Sequence, residues 1–452
     1  MNENDFITLD YGSGGKKTSQ LISEMILPLL VAGTNSNSNL NSGDELYGAG
    51  DVFDLSSAAG TEQDSKSRMF GNDTVQGALC DGAVLDIPAN AGRLVFSTDS
   101  FVVSPYFFPG GDIGKLSVCG TVNDLAMMGA VPKYLSLSFI IEEGMPLAAL
   151  KKITESIGRT AREAGVQIVT GDTKVVEKGT GDGIYINTTG IGFLEKLCRS
   201  EGSLEDGVPQ EGTAQECSSQ VGQSEHNDFL LSLKPENIRP GDAVIVSGNV
   251  GDHGTAVMLA RNPGLGFLDA DKTGTFSEGQ CGDAETGSGH NDDRSAMNMS
   301  DHSPIKSDCA PLHREALALA HGLGTDLRVM RDPTRGGLAT TLNEFIEDRK
   351  DIGIELRETD IPVSPAVNTA CEMLGLDPLY CACEGRLIAV VAPERAEEAV
   401  EILRGMPHGA GAKIIGYVTG ESSHPGKLVI RTPLGTGRIV QKLSGAQLPR
   451  IC

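Results

Sequence analysis

Four aspartates in the first half of the chain follow apolar runs or open the next predicted element. They lie in the segments 80–83, 98–100, 122–125 and 171–174, and they are Asp81, Asp99, Asp124 and Asp172. We expect each carboxylate to be presented in a turn at an edge of a sheet, where several together suit a divalent cation held partly by nucleotide phosphates. A single aspartate of this kind more commonly caps a helix or forms a turn. Four of them beside glycine-rich loops favour phosphate chemistry.

Two glycine-rich segments are candidates for contact with phosphate. In 12–18 the backbone N–H groups of a glycine-rich loop could approach phosphate oxygens, with lysines nearby; the loop residues are Gly12, Ser13, Gly14 and Gly15. The segment is not a P-loop, because a second lysine interrupts the required Gly-Lys-Ser/Thr. In 330–337 polar side chains precede a predicted helix N-terminus. The candidates there are Asp332, Thr334, Arg335, Gly336 and Gly337.

Three further side chains could carry thiol or acid–base chemistry. Cys452 is the last residue, and a thiol at a chain end, where order is weakest, suits a group that visits two sites. Glu384 precedes an apolar strand predicted over 386–392, so it is a candidate proton acceptor with a raised pKa, although a solvated strand-end residue is the alternative. His253, in Gly-Asp-His-Gly, could act as a base, but we expect it to cap a helix or lie at the surface.

The composition excludes several classes of protein. A net charge of −24 argues against binding to nucleic acid, which needs basic patches. No apolar stretch approaches the length of a membrane span, and the acidic start lacks the pattern of a secretory signal. The ten cysteines form no disulfide framework or zinc motif, so we expect reduced thiols and a cytoplasmic location.

Most of the negative charge lies in three polar stretches. Residues 35–77, 199–228 and 269–304 carry −17 of the −24. They lack apolar periodicity, and their composition cannot repay the entropy of ordering, so we interpret them as solvated or disordered insertions. The alternative, acidic loops that bind cations, is weakened because their carboxylates lack the spacing of an EF-hand loop.

The rest of the chain divides into two α/β (α+β) domains and a tail. The first domain spans 1–198 and contains the insertion 35–77, with strands predicted over 94–99, 134–140, 166–170 and 184–189 and a helix over 147–164. After the insertion or linker 199–228, the second domain spans 229–431 and contains the insertion 269–304. Its predicted strands are 243–247, 386–392 and 413–418, and its predicted helices are 337–348, 365–375 and 394–404. Residues 432–452 lack a period and are predicted to form an extended, flexible tail that carries Cys452.

Together these motifs resemble the HypE family of hydrogenase maturation factors, a branch of the AIR synthetase (PurM)-like ATP-dependent enzymes. The matching segments are 11–15, 97–103, 120–130, 171–174, 251–254, 330–337 and 449–452. The resemblance covers nearly all of the chain outside the insertions, and the terminal cysteine separates this branch from its relatives. It implies a two-domain PurM-like fold, a homodimer formed through first-domain strands, and an ATP cleft near that interface.

The resemblance also implies a reaction. A carbamoyltransferase, HypF, attaches a carbamoyl group to the sulfur of Cys452, and ATP-dependent dehydration converts the thiocarboxamide to a thiocyanate. The cyano group then passes to iron on the HypC–HypD complex during assembly of a [NiFe]-hydrogenase cofactor. By the same resemblance, Lys174 steadies the phosphorylated oxygen and Glu384 takes an N–H proton. The residues assigned to ATP and Mg²⁺ are Asp81, Asp99, Asn123, Asp124 and Asp172, with the four aspartates as metal ligands.

One departure and two alternatives remain. Tyr11 stands where the family more often has histidine, so a phosphate contact at that position does not carry over. Another PurM-like synthetase, of the aminoimidazole ribonucleotide or selenophosphate type, would not need a terminal cysteine, and no cysteine precedes Cys80 to serve selenium chemistry. A non-enzymatic scaffold whose thiol binds metal would want further soft ligands, yet the last 25 residues hold no second cysteine or histidine.

Overall fold

A computed structural model describes residues 5–13, 15–31, 83–89, 91–195, 231–262, 303–421, 424–443, 445 and 451. The insertions predicted over 35–77 and 199–228 lie outside these residues, as does nearly all of 269–304. Three candidate site residues, Gly14, Asp81 and Cys452, also lie outside them.

The first domain is built on a four-stranded sheet in the order β1-β6-β4-β5. These strands are β1 (Ala91–Phe101), β4 (Val131–Glu142), β5 (Gln167–Val176) and β6 (Ile184–Glu195), and a small hairpin of β2 (Phe107–Phe108) and β3 (Gly111–Asp112) follows β1. Strands β4 and β5 are parallel, and the other neighbours in the sheet are antiparallel. The helices of this domain are α1 (Lys16–Gln20), α2 (Leu27–Val31), α3 (Ile113–Met127) and α4 (Leu147–Glu163), with a 3₁₀ helix at Leu9–Gly12 and a π-helix at Leu21–Ile26.

Helices α3 and α4 lie together on one face of this sheet, but the sequence pattern predicts only α4 clearly. Helix α4 is amphipathic: Leu150, Ile153 and Ile157 recur at helical spacing and are fully buried, which confirms the helix predicted over 147–164. Helix α3 is buried nearly all round, because it also contacts the second domain. The opposite face of the sheet is exposed and carries large apolar side chains, namely Leu94, Phe96 and Ile140.

The second domain is built on a seven-stranded sheet in the order β13-β12-β9-β11-β7-β10-β8. Its strands are β7 (Ala243–Val246), β8 (Leu327–Arg331), β9 (Ile352–Arg357), β10 (Ile388–Val391), β11 (Lys413–Gly420), β12 (Leu428–Arg431) and β13 (Gly437–Val440). Its helices are α5 (Asp252–Arg261), α6 (His313–Leu323), α7 (Gly337–Ile346), α8 (Pro365–Leu374) and α9 (Ala396–Arg404). Helix α7 packs with one face of the sheet, and α6 and α9 pack with the other.

The structure corrects two predictions. The segment 122–125 is not a turn at a sheet edge but part of α3. Asp99 and Asp172 are not in turns either: β1 continues two residues beyond Asp99, the last residue of the predicted strand, and Asp172 lies within β5 rather than after it. The region predicted as an extended tail contains β13, which pairs with β12. The sequence does not predict this strand, because it has four residues and only Val440 is buried. Apolar and polar residues therefore do not alternate along it.

Two further observations bear on the class of protein. The described cysteines, Cys119, Cys309, Cys371, Cys381 and Cys383, are all free and buried. Within the described ranges, no helix combines the length and the apolar character that crossing a bilayer requires.

Candidate active site

Four carboxyl groups from both domains come together where the domains meet. Asp99 lies on β1, Asp124 on α3, Asp332 just after β8, and Glu384 just before β10. We call these four residues the junction cluster. Burial, together with the nearby negative charges of Asp124 and Asp99, raises the pKa of Asp332 to about 7. The cluster therefore holds like charges close together in a region from which water is largely removed.

Hydrogen bonds hold two members of the cluster in place. The Ser97 hydroxyl donates to the Asp124 carboxylate at 2.8 Å. Asp99 accepts from Arg335, which comes from the second domain, at 3.1 Å. Burial raises the pKa of Asp124 despite the bond from Ser97, and repulsion by Asp99 adds to the rise. The cluster therefore spans the domain boundary through a charged hydrogen bond.

Glu384 is the most deeply buried carboxyl group of the cluster. Its residue is 1% exposed, and its Oε1 has no hydrogen-bond partner among the described residues. Burial, reinforced by neighbouring acidic groups that include Asp332 and Asp308, raises its pKa well above the usual range. The Glu384 N–H donates to Asp308 at 3.0 Å, which fixes the backbone. Glu384 thus combines a fixed backbone with a buried carboxyl group that has a free oxygen, which suits a general base.

Asn123 lies beside this group but uses its side chain to join the domains. It is fully buried, and its Nδ2 donates to the carbonyl oxygens of Ala310 at 3.1 Å and Glu384 at 3.4 Å. Its Oδ1 accepts from the Leu312 N–H at 2.7 Å. The structure thus gives this amide three backbone partners in the second domain, and its role as an ATP or Mg²⁺ ligand stays a prediction.

The start of α7 brings a turn of unusual backbone geometry to the same place. Gly336 and Gly337 both have positive φ angles, +73° and +59°. A Cβ at Gly337 would lie 2.5 Å from the Cys381 carbonyl oxygen, so no larger residue fits there without a shift. The turn positions Asp332, Thr334 and Arg335 immediately before the helix. Helix α7 therefore begins beside the junction cluster, and the first N–H groups of a helix lack carbonyl partners within it.

A second set of predicted residues lies elsewhere, on β5. The Lys174 ammonium is 2.6 Å from the Asp172 carboxylate; both side chains are largely exposed, and this pairing lowers the pKa of Asp172. The glycine-rich loop packs on the same strand, since a Cβ at Gly12 would lie 2.4 Å from the Val175 nitrogen. We call Gly12, Ser13, Gly15, Asp172 and Lys174 the edge group.

Strand register shows that one chain does not bring the edge group to the junction cluster. Asp99 on β1 and Gly171 on β5 lie in the same row of cross-strand neighbours, with β6 and β4 between them. Three strand spacings separate them by about 14 Å. Asp172 belongs to the next row, with Asn187 and Ser100, and adjacent rows face opposite sides of the sheet. Asp99 faces α3, whereas Asp172 faces the exposed side. The two groups therefore lie at opposite edges and on opposite faces.

Two residues of the site were missed from the sequence. Ser97 shares a face of β1 with Asp99, and the alternation of a strand could have revealed it. Asp308, which holds the Glu384 backbone, carries no local signal because its partner is 76 residues away. Across the described ranges, no three His, Cys, Asp or Glu side chains converge closely enough to hold a metal ion by themselves. A divalent cation here would need additional oxygen ligands from a bound nucleotide.

Comparison with known proteins accounts for this arrangement. The family model described as AIR synthase related protein, N-terminal domain, matches residues 80–194, and the corresponding C-terminal domain matches 239–427. The chain is 43% identical over 385 residues to the carbamoyl dehydratase HypE of Rhizobium leguminosarum bv. viciae, covering 85% of this chain and 89% of that protein. The chain belongs to the HypE family.

Solved structures of the HypE family extend the match to three dimensions. The chain resembles a crystal structure of the hydrogenase maturation protein HypE in complex with ATP, with a TM-score of 0.68 and 37% identity over 98% of this chain and 99% of that one. It also resembles HypE in a crystal structure of a HypE–HypF complex, with a TM-score of 0.59 and 38% identity over 83% and 97% of the two chains. The predicted two-domain PurM-like α/β (α+β) fold is therefore confirmed.

Membership of the HypE family also bears on the two alternatives that the sequence left open. Relatives that match over most of the chain are carbamoyl dehydratases. A synthetase of the aminoimidazole ribonucleotide or selenophosphate type is therefore not favoured. The same holds for a non-enzymatic scaffold.

Proposed function

We propose that this chain is an ATP-dependent carbamoyl dehydratase that acts on its own C-terminal cysteine in hydrogenase maturation. The observation that carries the proposal is the buried Glu384, with a free carboxyl oxygen, beside the aspartates of the junction cluster in a member of the HypE family. A proton acceptor and groups suited to a nucleotide with its metal lie in one place. Dehydration of an amide by ATP requires both.

The reaction balances as a transfer followed by an elimination. The oxygen of the S-carbamoyl amide on Cys452 attacks the γ-phosphoryl group of ATP, and ADP leaves. The amide oxygen, a poor leaving group, has now become part of a phosphate ester. Loss of both N–H protons and departure of phosphate then leave a carbon–nitrogen triple bond on sulfur. The products are an S-cyano group, ADP and phosphate.

Glu384 is suited to one of the proton transfers. Its carboxyl group is neutral until the pH rises through its raised pKa, and the carboxylate then formed is a stronger base than an exposed glutamate. Burial also keeps water away from an intermediate that water would hydrolyse. The N–H groups at the start of α7 and the Arg335 guanidinium offer donors to phosphate oxygens in the same region.

The carboxylates of the junction cluster fit a magnesium ion that arrives with ATP. Asp99 and Asp124 repel one another, and a cation would relieve that repulsion. Mg²⁺ commonly takes one or two carboxylates and completes its shell with phosphates and water, so the lack of a three-residue cage among the described residues suits it. With Asp81, and with Asp172 supplied by a second copy of the chain, as further ligands, the ion would neutralise charge on the phosphates.

A homodimer would unite the two groups that one chain keeps apart. The edge strands β1 and β5 carry Asp99 and Asp172, and the sheet face between them exposes Leu94, Phe96 and Ile140. A second copy that covers this apolar face would bring β5 of one chain to β1 of the other. Lys174 of one chain would then steady the phosphorylated oxygen in a site whose Glu384 belongs to its partner.

The remaining partners follow from the chemistry of the cargo. A carbamoyltransferase of the HypF type must load Cys452, and a HypE relative forms a complex with HypF. An iron-bearing acceptor of the HypC–HypD type must receive the cyano group. We place these steps in the reducing cytoplasm, where free thiols such as the five described cysteines persist.

Intact mass spectrometry tests the proposal directly. The full chain is incubated with carbamoyl phosphate, ATP and the carbamoyltransferase, and the C-terminal peptide is then mapped. We expect a carbamoyl adduct on Cys452 that loses the mass of one water only when hydrolysable ATP is present. The Cys452→Ser variant is the control and should show no adduct. An unmodified C-terminal peptide in the wild-type chain, or an adduct that never loses water, would overturn the proposal.

A further inference from the structure

His253 occupies an unexpected position in the first turn of α5. The prediction of a surface position is wrong, because the residue is fully buried. Its ring packs edge-on against Phe108, with ring centres 5.3 Å apart. A buried imidazole with two polar nitrogens needs partners for both of them. The described residues supply two, and one of them is in the C-terminal tail.

The two partners determine where the proton of the ring lies. Nε2 is 2.9 Å from the Ile451 carbonyl oxygen, and Nδ1 is 2.8 Å from the Ser307 hydroxyl. A carbonyl oxygen only accepts, so Nε2 carries the hydrogen. The Ser307 hydroxyl accepts from the Cys309 N–H at 3.1 Å and can give its own hydrogen to Nδ1. One neutral tautomer of the ring satisfies all three bonds. Burial lowers the pKa of His253, which also favours the neutral ring.

Ile451 is held by packing as well as by this bond. Its residue is only 3% exposed, and it belongs to the same buried apolar cluster as Val257, Cys309 and Ala382. Burial of the isoleucine side chain keeps the end of the tail against this cluster, but it does not fix the direction of the backbone. The hydrogen bond to His253 does, because it fixes the carbonyl that immediately precedes residue 452.

The residues that hold the His253 ring are followed directly in the sequence by residues that hold the Glu384 backbone. Ser307 orients the His253 ring, and the next residue, Asp308, accepts the Glu384 N–H at 3.0 Å. Ala310 then donates its N–H to the Glu384 carbonyl at 3.3 Å. A single short segment, 307–310, therefore sets both the anchor of residue 451 and the place of the candidate base.

We propose that His253 is a positioning residue for the dehydration, and that it acts by holding the Ile451 carbonyl through Nε2–H while Ser307 fixes the tautomer. The backbone one residue before the reactive cysteine is then fixed relative to Glu384. This inference rests on the proposed function, since it assigns His253 to that reaction. Its structural half, that His253 holds the tail, is independent of the chemistry and can be tested without it.

The first experiment measures release of the tail in the full chain without ATP or partner protein. The rate of alkylation of Cys452 by iodoacetamide is followed by mass mapping of the C-terminal peptide. His253→Leu removes the donor, and loss of one buried hydrogen bond should speed alkylation about tenfold. His253→Gln can present an N–H where Nε2 stood, and its rate should stay within about twofold of the wild type. Equal rates in the wild type and the leucine variant would overturn the inference.

A second measurement covers the case in which His253→Leu fails to fold. In the wild-type chain with ¹⁵N-labelled histidine, His253 should show a protonated Nε2 that exchanges slowly with solvent. A chain that stops before Pro449 keeps the ring but removes its acceptor, and that signal should shift and exchange faster. An unchanged His253 signal in the shortened chain would overturn the inference.

The chemical half is read in a single turnover after Cys452 has been carbamoylated. His253→Leu should slow dehydration about tenfold while loading by the carbamoyltransferase is not slowed, and His253→Gln should restore the rate. Slowing of loading and dehydration alike in the leucine variant would instead indicate a general structural effect and overturn the assigned role. If the wild-type chain never loses water, the proposed function fails, and alkylation still decides whether His253 holds the tail.

Discussion

The junction cluster and the edge group use the same acidic side chain in opposite ways. In the junction cluster, burial and like charges raise the pKa of Asp124 and Asp332. In the edge group, Asp172 is exposed beside Lys174, and its pKa is lowered. The first arrangement favours acceptance of a proton or a cation, and the second favours a fixed ion pair at the surface. Surroundings, rather than residue type, thus decide what each aspartate can do.

The junction cluster and the edge group also differ in whether a single chain can complete them. The junction cluster draws on both domains of a single chain and is joined by Arg335. The edge group lies at β5, an edge strand of the first sheet that pairs with β4 on one side, and its Asp172 and Lys174 side chains are largely exposed. Under the proposed function the first is the acid–base and nucleotide centre, and the second serves a partner copy.

The largest effect should come from Glu384. The Glu384→Gln variant keeps the shape of the side chain but removes the proton acceptor, so single-turnover dehydration of carbamoylated protein should fall about 10²–10⁴-fold. ATP affinity, measured by calorimetry, should stay within about threefold of the wild type. In the wild type the rate should rise with pH, because only the ionised carboxylate accepts a proton. A rate within tenfold of the wild type would remove Glu384 from the mechanism.

The proposed division between two chains can be tested by mixing variants. Lys174→Ala and Glu384→Gln should each be nearly inactive alone. If Lys174 of one chain serves Glu384 of the other, random exchange of equal amounts regenerates one intact site in half of the dimers, or about a quarter of wild-type activity. Dehydration is measured after subunit exchange, with each variant alone as the control. No recovery in a mixture shown to contain heterodimers would place both residues in one chain's site.

A smaller effect is expected on the pH dependence of stability. The folded pKa of Asp332 is about 7, against an ordinary value of 3.8, so between these pH values the folded chain binds a proton that the unfolded chain lacks. Stability contributed through this residue therefore falls as pH rises from about 4 to about 7. Asp332→Asn removes that fall and should stabilise the chain by about 4 kcal/mol at pH 8, with little gain near pH 4. Urea unfolding of the wild type and the Asp332→Asn variant at several pH values measures this difference in the free energy of unfolding. If the two free energies depend on pH in the same way, the prediction is contradicted.

The smallest effect should come from the ion pair across the domain boundary. Arg335 is 72% exposed at its side chain, so its bond to Asp99 is screened by water. Arg335→Ala should change the free energy of unfolding by about 0.5 kcal/mol or less. The exposed pair of Arg438 with Asp377 is a matched control, and Arg438→Ala should behave alike. A loss of several kcal/mol specific to Arg335 would show that this bond holds the domains together.

The sequence predicts elements well where one face of an element is buried. The helix over 147–164 is confirmed because Leu150, Ile153 and Ile157 mark a single apolar stripe. Helix α3 leaves no such stripe, since both domains cover it, and Asn123 and Asp124 were therefore misplaced in a turn. The spacing of apolar residues predicts a helix or strand only when one of its faces is buried and the other is exposed. It gives no signal for a helix that is buried on all sides.

The site itself was predictable only in part. The motifs indicate Asp99, Asp124, Asp332 and Glu384 one at a time, but their convergence depends on pairing between residues nearly 300 positions apart. Strand register separates Asp172 from them, and no local signal carries register across three strands. His253 shows the same limit, because its two partners come from residue 307 and residue 451.

Helix α3 has a consequence for any attempt to dissect the molecule. It packs on β1 and β6 and also touches α6 and β8, so its surface serves two cores at once. A fragment that ends near residue 198 would lay bare the half of α3 that normally meets its neighbour, including the amide of Asn123. Such a fragment should aggregate rather than fold, and the two halves should melt in a single step. The chain has two domains, each with its own main sheet, but we expect them to unfold together as one cooperative unit.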